Sequence, residues 1–363
     1  MERRDFTKKA VFGLIASQSI PTFSTVNSLF ENTNSRIPLG LGNHSLRGMK
    51  PNAQQIIEYA IKHSLDSVQF NTLKPFESLQ ENSLLELKKL ADDHAISIYV
   101  GVGSICEKSI KFSDSYGNAK DLLGKGIHVA KILESPNLGV RIGVLEDRYA
   151  KGGIAPKIDE VVNLMKSFRK PIQDAGIKFA FENHAGDMRT DELINLIDRT
   201  GTDICGAFFD PGNAIYGMED PIEAMQLLGK KIIVCQARDV NIWSTRDGAK
   251  FQWTAVGNGI MDFKFFANYL STNCPGVPIH VETISNSPRS IPYLTHEYWD
   301  GFPDLKASHI VDFLSLVAHG TPMTLDIPPA GVNKKEFDIQ HQERELQKSI
   351  VYLRENCNAG LKF

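Results

Sequence analysis

The strongest constraint on the fold is a rhythm. Short apolar, β-rich runs recur at residues 37–42, 66–71, 96–103, 138–144, 177–182, 204–210, 231–236 and 277–283, eight in all. Segments with apolar residues at helical spacing fill most of the gaps. In "NAQQIIEYAIKHS" Ile56, Ile57, Ala60 and Ile61 share a face, and in "SLLELKKLADDH" Leu84, Leu87, Leu90 and Ala91 do the same. Comparable patterns occupy about 118–133, 157–174, 190–199, 220–228, 263–271 and 307–317. Strands alternating with helices run parallel, because each crossover helix returns the chain to the same end of the sheet. Eight such units, with too little sequence left for a second domain, predict an α/β fold closed as a (β/α)8 barrel. An open doubly wound sheet is the alternative, but no Gly-rich nucleotide fingerprint follows the first run.

The barrel domain is expected over residues 35–320, within a chain of 363 residues. A C-terminal helical extension, 321–363, carries the polar helix "KEFDIQHQERELQKSIVYLREN", expected on the outside of the barrel or on a partner subunit, so a homo-oligomer stays open. Residues 1–34 stand apart. "ERRDFTKKAVFGLIAS" sets Arg3 and Arg4 before Phe6, Lys8 and Lys9, then a weak apolar stretch from Ala10 to Ala16. This is the pattern of a twin-arginine export signal, followed by a polar linker. Export to the periplasm is the expectation, and a cytoplasmic location is the alternative if the Arg pair is incidental. The apolar stretch is too short to span a membrane. A net charge of −3 argues against a nucleic-acid-binding surface. Five scattered Cys without C-x-x-C spacing argue against a disulfide framework or a zinc ribbon.

In a barrel of this kind the active site forms at the C-terminal ends of the strands. Run five ends in Glu182, Asn183 and His184, and run six in Asp210, with Asn213 in the turn. Run seven ends in Gln236, Arg238 and Asp239, and run eight in Glu282. Any one of these carboxylates could be a helix cap or a loop anchor. Four successive strands delivering Glu, Asp, Gln and Glu to one rim predict a site for one divalent metal ion. Oxygen donors suit Mn2+ or Mg2+. Side chains two apart on a strand share a face, so His184 can join Glu182, and Arg238 can join Gln236.

The segments "FENH", "FDPGN", "QARDV", "GNGIMDFKFF" and "VETIS", in that order, resemble the sugar phosphate isomerase/epimerase family, whose fold is a xylose-isomerase-like TIM barrel. The resemblance covers roughly residues 36–318. It implies metal ligands on strands five to eight, of the types Glu, Asp, His and Glu, which Glu182, Asp210 and Glu282 match. Gln236 stands where the family has His, which makes Zn2+ less expected than Mn2+ or Mg2+. In "GNGIMDF", Gly257 and Gly259 are expected to serve backbone geometry and Asp262 to cap a helix.

The resemblance also implies the reaction: proton abstraction next to a carbonyl, through an enediolate held on the metal, with Glu182 and Glu282 as bases, giving sugar isomerisation or epimerisation. His184 leaves alternatives open. It could orient Glu182, hold a substrate hydroxyl, or act as a separate base. As a base it would suit a lyase acting on a 3-keto-glycoside by β-elimination, or a decarboxylase of a 3-oxo sugar acid. A non-catalytic sugar-binding barrel is the reading from outside enzymology. Asn43, His44, Arg141, Asn213 and Arg238 are the candidate contacts for a small-molecule carbohydrate. Trp243 and Trp253 could stack on a sugar or pack in a core. No Gly-rich phosphate cradle occurs, and an exported protein meets mostly unphosphorylated sugars, so a free sugar or glycoside is expected.

Overall fold

The structure, a computed structural model, describes residues 35–363. The twin-arginine pattern lies outside the described residues. All eight runs form parallel strands: β1 (Leu39–Gly42), β2 (Ser67–Gln69), β3 (Ser97–Ser104), β4 (Asn137–Arg141), β5 (Lys178–Glu182), β6 (Cys205–Phe209), β7 (Ile232–Ala237) and, last in the barrel, β10 (Ile279–Val281). They close in the order β1-β10-β7-β6-β5-β4-β3-β2. The fold is a (β/α)8 TIM barrel. β1 and β6 are buried at every position, as strands covered on both faces must be, which is why they read as continuous apolar runs.

The helices are α1 (Ala53–Lys62), α2 (Glu81–Asp93), α3 (Ala119–Ile132), α4 (Ala155–Ser167), α5 (Arg169–Asp174), α6 (Thr190–Thr200), α7 (Pro211–Ala214), α8 (Pro221–Leu228), α9 (Phe263–Asn273), α10 (Val311–His319) and α11 (Lys334–Asn356). Their starts are local chemistry. Asn52 and Asn118 open α1 and α3 with reciprocal capping boxes to Gln55 and Asp121, and Asp220 with Pro221 opens α8. Asp262 caps α9 as expected, accepting from the Phe265 N–H. Among the described residues no helix is long and apolar enough to cross a membrane.

Two packing regions follow from strand parity. The larger lies between the barrel wall and the helices; the smaller joins Ala180, Phe208 and Val234, with Tyr99 packed against them. Tyr99 also meets the ring of His280 edge-on at 4.9 Å, and His280 Nε2 lies 3.0 Å from Ser67 Oγ. Gly40 is required beside them, since a Cβ there would come within 2.3 Å of Ser67 Oγ and His280. Ala180, Phe208, Val234 and His280 each stand two residues before Glu182, Asp210, Gln236 and Glu282. One interior layer therefore sets the facing of the next.

The residues after β7 depart from the simple pattern. The stretch carrying Trp243 and Trp253, expected as a loop between β7 and the next helix, is a hairpin, β8 (Asp239–Thr245) and β9 (Gly248–Thr254), joined by β11 (Arg289–Ile291) into an antiparallel sheet. Its signal was the Asp247-Gly248 pair between alternating residues.

The tail packs along the barrel. Gln342 Oε1 of α11 accepts from the Gly48 N–H at 3.0 Å, Glu345 Oε2 from Ala255 at 2.8 Å, and Ser349 Oγ from Val256 at 2.9 Å. At the opposite end Asp66 Oδ2 accepts from both Leu39 and Leu361, at 2.8 and 2.9 Å. The helix thus ties loops at the barrel mouth to the start of β1. Leu353→Ala, at a fully buried position, is expected to cost about 2–5 kcal/mol in urea unfolding. Lys334→Ala, whose ion pair with Asp338 is exposed, should stay within about 0.5 kcal/mol.

Candidate metal and sugar site

Four strand ends meet at the mouth. Oxygen atoms of Glu182, Asp210 and Glu282 all lie within 4.8 Å of one another, and all three residues are buried. Asp210 and Gln236 have 0% exposure, Glu182 3% and Glu282 2%. Each is held by its neighbours. Asn183 brackets the backbone of Asp210, accepting its N–H at 2.8 Å and donating to its carbonyl at 2.9 Å. Asn213 Nδ2 donates to Asp210 Oδ2 at 2.9 Å. Asn71 Nδ2 donates to Glu282 Oε1 at 3.1 Å. Arg238 pairs through Nη1 with Asp210 Oδ2 at 2.9 Å and through Nη2 with Glu282 Oε2, while Arg141 Nη1 lies 3.5 Å from Glu182 Oε2.

Burial pushes the Glu182 carboxyl up to about 8, with Arg141 opposing and the other two carboxylates adding to the rise. Asp210 is pushed up to about 7, again mainly by burial, against the pull of Arg238. Glu282 goes the other way: burial would raise it, but Arg238 and its neighbours hold it below the ordinary carboxylate range. Three adjacent buried carboxylates are short of positive charge.

The donor set fits a divalent ion. The Gln236 amide oxygen is buried without a hydrogen-bond partner among the described residues, while the amide group faces Glu282. An unengaged amide oxygen beside three carboxylates is a hard, all-oxygen set of the kind that Mn2+ and Mg2+ favour.

His184 is placed by a clasp between two loops. Its Nδ1 lies 2.5 Å from the Gly143 carbonyl, which can only accept, so Nδ1 carries the proton and Nε2 the lone pair. Asp187 closes the clasp, accepting from the Gly143 and His184 N–H groups at 2.9 Å each. Burial, then the nearby Arg141, keeps the imidazole neutral, well below its usual range. The ring's hydrogen bond therefore goes to Gly143 rather than to Glu182.

Above the carboxylates opens a cavity of about 970 Å³, whose wall includes Asn43, His44, Arg141, His184, Asn213, Arg238 and Glu282. All five candidate sugar contacts are thus in one wall. Asn43 Oδ1 also accepts from the Asn71 N–H at 2.9 Å, and Asn213 Oδ1 accepts from Arg238 at 3.2 Å. Burial lowers His44 to about 4 despite Glu282 nearby, so it is neutral there. Trp253 faces this cavity and Trp243 does not. The Trp253 ring lies 5.4 Å from the Arg238 guanidinium and 5.6 Å from that of Arg289.

Asp239, beside Arg238, has a structural part. Its carboxylate accepts from the N–H groups of Gly257, Gly259 and Met261 at 2.9–3.1 Å. Gly257 has φ +92, and a Cβ on Gly259 would lie 2.2 Å from Asp239 Oδ1. The "GNG" turn therefore wraps that carboxylate, which fixes the backbone beyond Arg238. Asn71, Arg47, Lys74 and Lys111, beyond the strands, and Arg289, in β11, also line the cavity; the strand-end rule missed them because none of them ends a barrel strand.

The sequence profile described as xylose isomerase-like TIM barrel matches residues 57–299. The chain belongs to that family. It is 24% identical over 179 residues to an uncharacterized protein, YihM, of Escherichia coli (strain K12), a match covering 47% of this chain and 54% of the relative. The chain thus spans about half the length of that curated relative. A D-psicose 3-epimerase of Clostridium cellulolyticum H10, solved with D-tagatose, superposes with a TM-score of 0.55 at 14% identity, covering 88% of this chain and 99% of the other. The IolI protein, solved with a zinc atom, gives 0.53 at 15% identity over 87% and 98%. These structural likenesses show the shared fold.

Saturating Mn2+, at about a hundredfold its Kd, should stabilise the protein by about 2.7 kcal/mol in denaturant unfolding. EDTA should remove that gain, and Asp210→Ala should not show it. Gln236→His, which restores the family's ligand type, should shift selectivity towards Zn2+ in competition titrations.

Proposed function

We propose that the protein is a divalent-metal-dependent enzyme that moves a proton at the carbon beside a sugar carbonyl, interconverting isomers or epimers. The observation that carries this reading is the convergence of Glu182 and Glu282. They stand at the ends of β5 and β10, which are separated around the barrel by β6 and β7, yet their oxygens approach within 4.8 Å, with Glu282 in the wall of the large cavity. Membership of the family and the epimerase among its structural neighbours support the same reading.

Glu182, Asp210, Gln236 and Glu282 would hold the ion. When bound, it polarises the carbonyl and neighbouring hydroxyl of a sugar, which acidifies the carbon between them. The protein's own groups then handle the proton. Glu282, fixed by Arg238 and Asn71, and Glu182, fixed by Arg141, are the two carboxylates able to take it from one face and return it to the other. Asn43, His44, Asn213 and Arg141 line the cavity where sugar hydroxyls would be oriented. Among metals, Mn2+ or Mg2+ suits the all-oxygen donors, although IolI holds zinc. Export by the twin-arginine route would place this chemistry in the periplasm.

A second reading has one specific observation in its favour. His184 is held as the neutral Nδ1–H tautomer, which leaves Nε2 free to act as a base. That arrangement supports β-elimination from a 3-keto-glycoside, or handling of a proton in decarboxylation of a 3-oxo sugar acid.

Solvent deuterium exchange separates the readings. With Mn2+ present, ketoses should take up deuterium at the carbon next to the carbonyl with skeleton and glycosidic bonds intact. Glu182→Gln and Glu282→Gln should each lower that exchange by at least about a hundredfold, while His184→Ala leaves most of it. Release of an aglycone from a 3-keto-glycoside that vanishes in His184→Ala would instead establish the lyase. Absence of any bindable divalent ion would reduce the protein to a sugar-binding barrel.

A further inference from the structure

The three carboxylates of the floor are not held alike. Asp210 accepts from Asn213 and Arg238, and Glu282 from Asn71 and Arg238. Among the described residues the carboxylate of Glu182 has one hydrogen bond, from Arg141 Nη1 at 3.5 Å. A single contact of that length fixes a carboxylate poorly, so whatever holds Arg141 decides where Glu182 points.

Beside this pair lies a second, much smaller chamber, with Gln69, Asn71, Arg141 and Glu182 in its wall. Glycines make the room. Gly101 of β3 and Gly139 of β4 are Cα partners, and Gly139 stands next to Ala180 of β5. They occupy the interior layer that the strands across the barrel fill with Phe208, Val234 and His280. A Cβ on Gly139 would lie 3.3 Å from Gln69 Nε2. What remains open is about 10 Å³, close to the space one water molecule takes.

The polar atoms around the chamber have a definite requirement. Gln69 is 1% exposed, and its Nε2 donates to the Phe70 carbonyl at 3.3 Å. Asn71 Nδ2 donates to Glu282 Oε1 at 3.1 Å. Both amides are oriented by acceptors, which leaves Gln69 Oε1 and Asn71 Oδ1 as acceptors themselves. Each is buried without a hydrogen-bond partner among the described residues, and so is Arg141 Nε, which can only donate. Two acceptors and one donor call for a group that donates twice and accepts once. A cation would satisfy the two oxygens and repel Arg141. An anion would satisfy Arg141 and face two amide oxygens beside Glu182. Water meets all three, and buried polar atoms of this kind are costly to leave unmet.

We propose that this chamber binds one water molecule, which donates to Gln69 Oε1 and Asn71 Oδ1 and accepts from Arg141 Nε, and that Gln69 positions Glu182 through it. The same water joins the supports of both bases, Arg141 for Glu182 and Asn71 for Glu282. The water site rests on the chamber alone; its consequence for catalysis rests on the metal and proton-transfer reading given above.

Crystal structures of the unaltered protein, Gln69→Met and Gly139→Ala test it. Met keeps the length of Gln69 without its amide, and Ala adds a methyl group to the chamber wall. The unaltered protein should show one water within about 3.2 Å of all three atoms. Both variants should lose it, with Arg141 displaced from Glu182. Calorimetric Mn2+ affinity should fall on the order of tenfold in each, and deuterium exchange should lose kcat with KM little changed. Both substitutions remove the same water, so the double variant should fall no further than either single one, whereas two independent packing defects would add. Density without a water, or with one out of reach of Gln69, overturns the site. Arg141 and Glu182 unmoved in both variants overturn the positioning role. The readings fail separately. A protein that shows the water and binds no Mn2+ removes the metal reading, while the Arg141–Glu182 geometry of the variants still decides the positioning role; Mn2+ binding without exchange removes the isomerase alone.

Discussion

Three buried carboxylates within 4.8 Å of each other are the interaction on which the rest of the mouth depends. Taken alone they would repel and lose hydration, and their neighbours answer that cost unevenly. Arg238 reaches Asp210 and Glu282 directly, and Arg141 stands at a longer 3.5 Å from Glu182. Two arginines do not neutralise the floor: Glu182 and Asp210 are still driven towards their protonated forms by burial. A divalent ion on the same oxygens, with the Gln236 amide oxygen beside them, would complete the balance. The candidate metal site thus follows from where the fold puts its charges.

The fold holds these groups with backbone as much as with side chains. Asn183 fixes Asp210 through its peptide, Asp187 fixes the loops at Gly143 and His184, and the "GNG" turn wraps Asp239 next to Arg238. α11 binds the outside of the same rim at Gly48, Ala255 and Val256. Precision of this order is what positioning of a substrate against a base requires.

Much of this was legible before the structure. A period-two strand must send residues two apart to one face, so Glu182, Asp210, Gln236 and Glu282 could be read as converging once eight parallel strands were recognised. The five sugar-contact candidates sit in one wall because they stand at or just beyond strand ends on the same rim. What escaped was what loops decide. Arg47 and Asn71 reach the cavity from turns and Arg289 from β11, whose courses follow from tertiary packing, and no periodicity marks them. The β8–β9 hairpin was missed for a different reason. Its residues continue straight from β7, and its Asp-Gly turn was a local signal overshadowed by the helix–strand rhythm. The role of His184 was open because parity says where a side chain faces, while its partner, the Gly143 carbonyl, comes from the neighbouring strand's loop.

Gln236 marks where the family pattern and this chain part company. An amide in place of imidazole makes every donor an oxygen. The central claim is that the buried carboxylates exist to hold a divalent ion, and proton counting tests it most directly. Burial has pushed Glu182 to about 8 and Asp210 to about 7, so an ion binding at about pH 6.5 must displace protons. Calorimetric titration with Mn2+ in buffers of differing ionisation enthalpy should give one ion per chain and release of on the order of one to two protons. Binding without proton release, or no binding at all, would contradict the account.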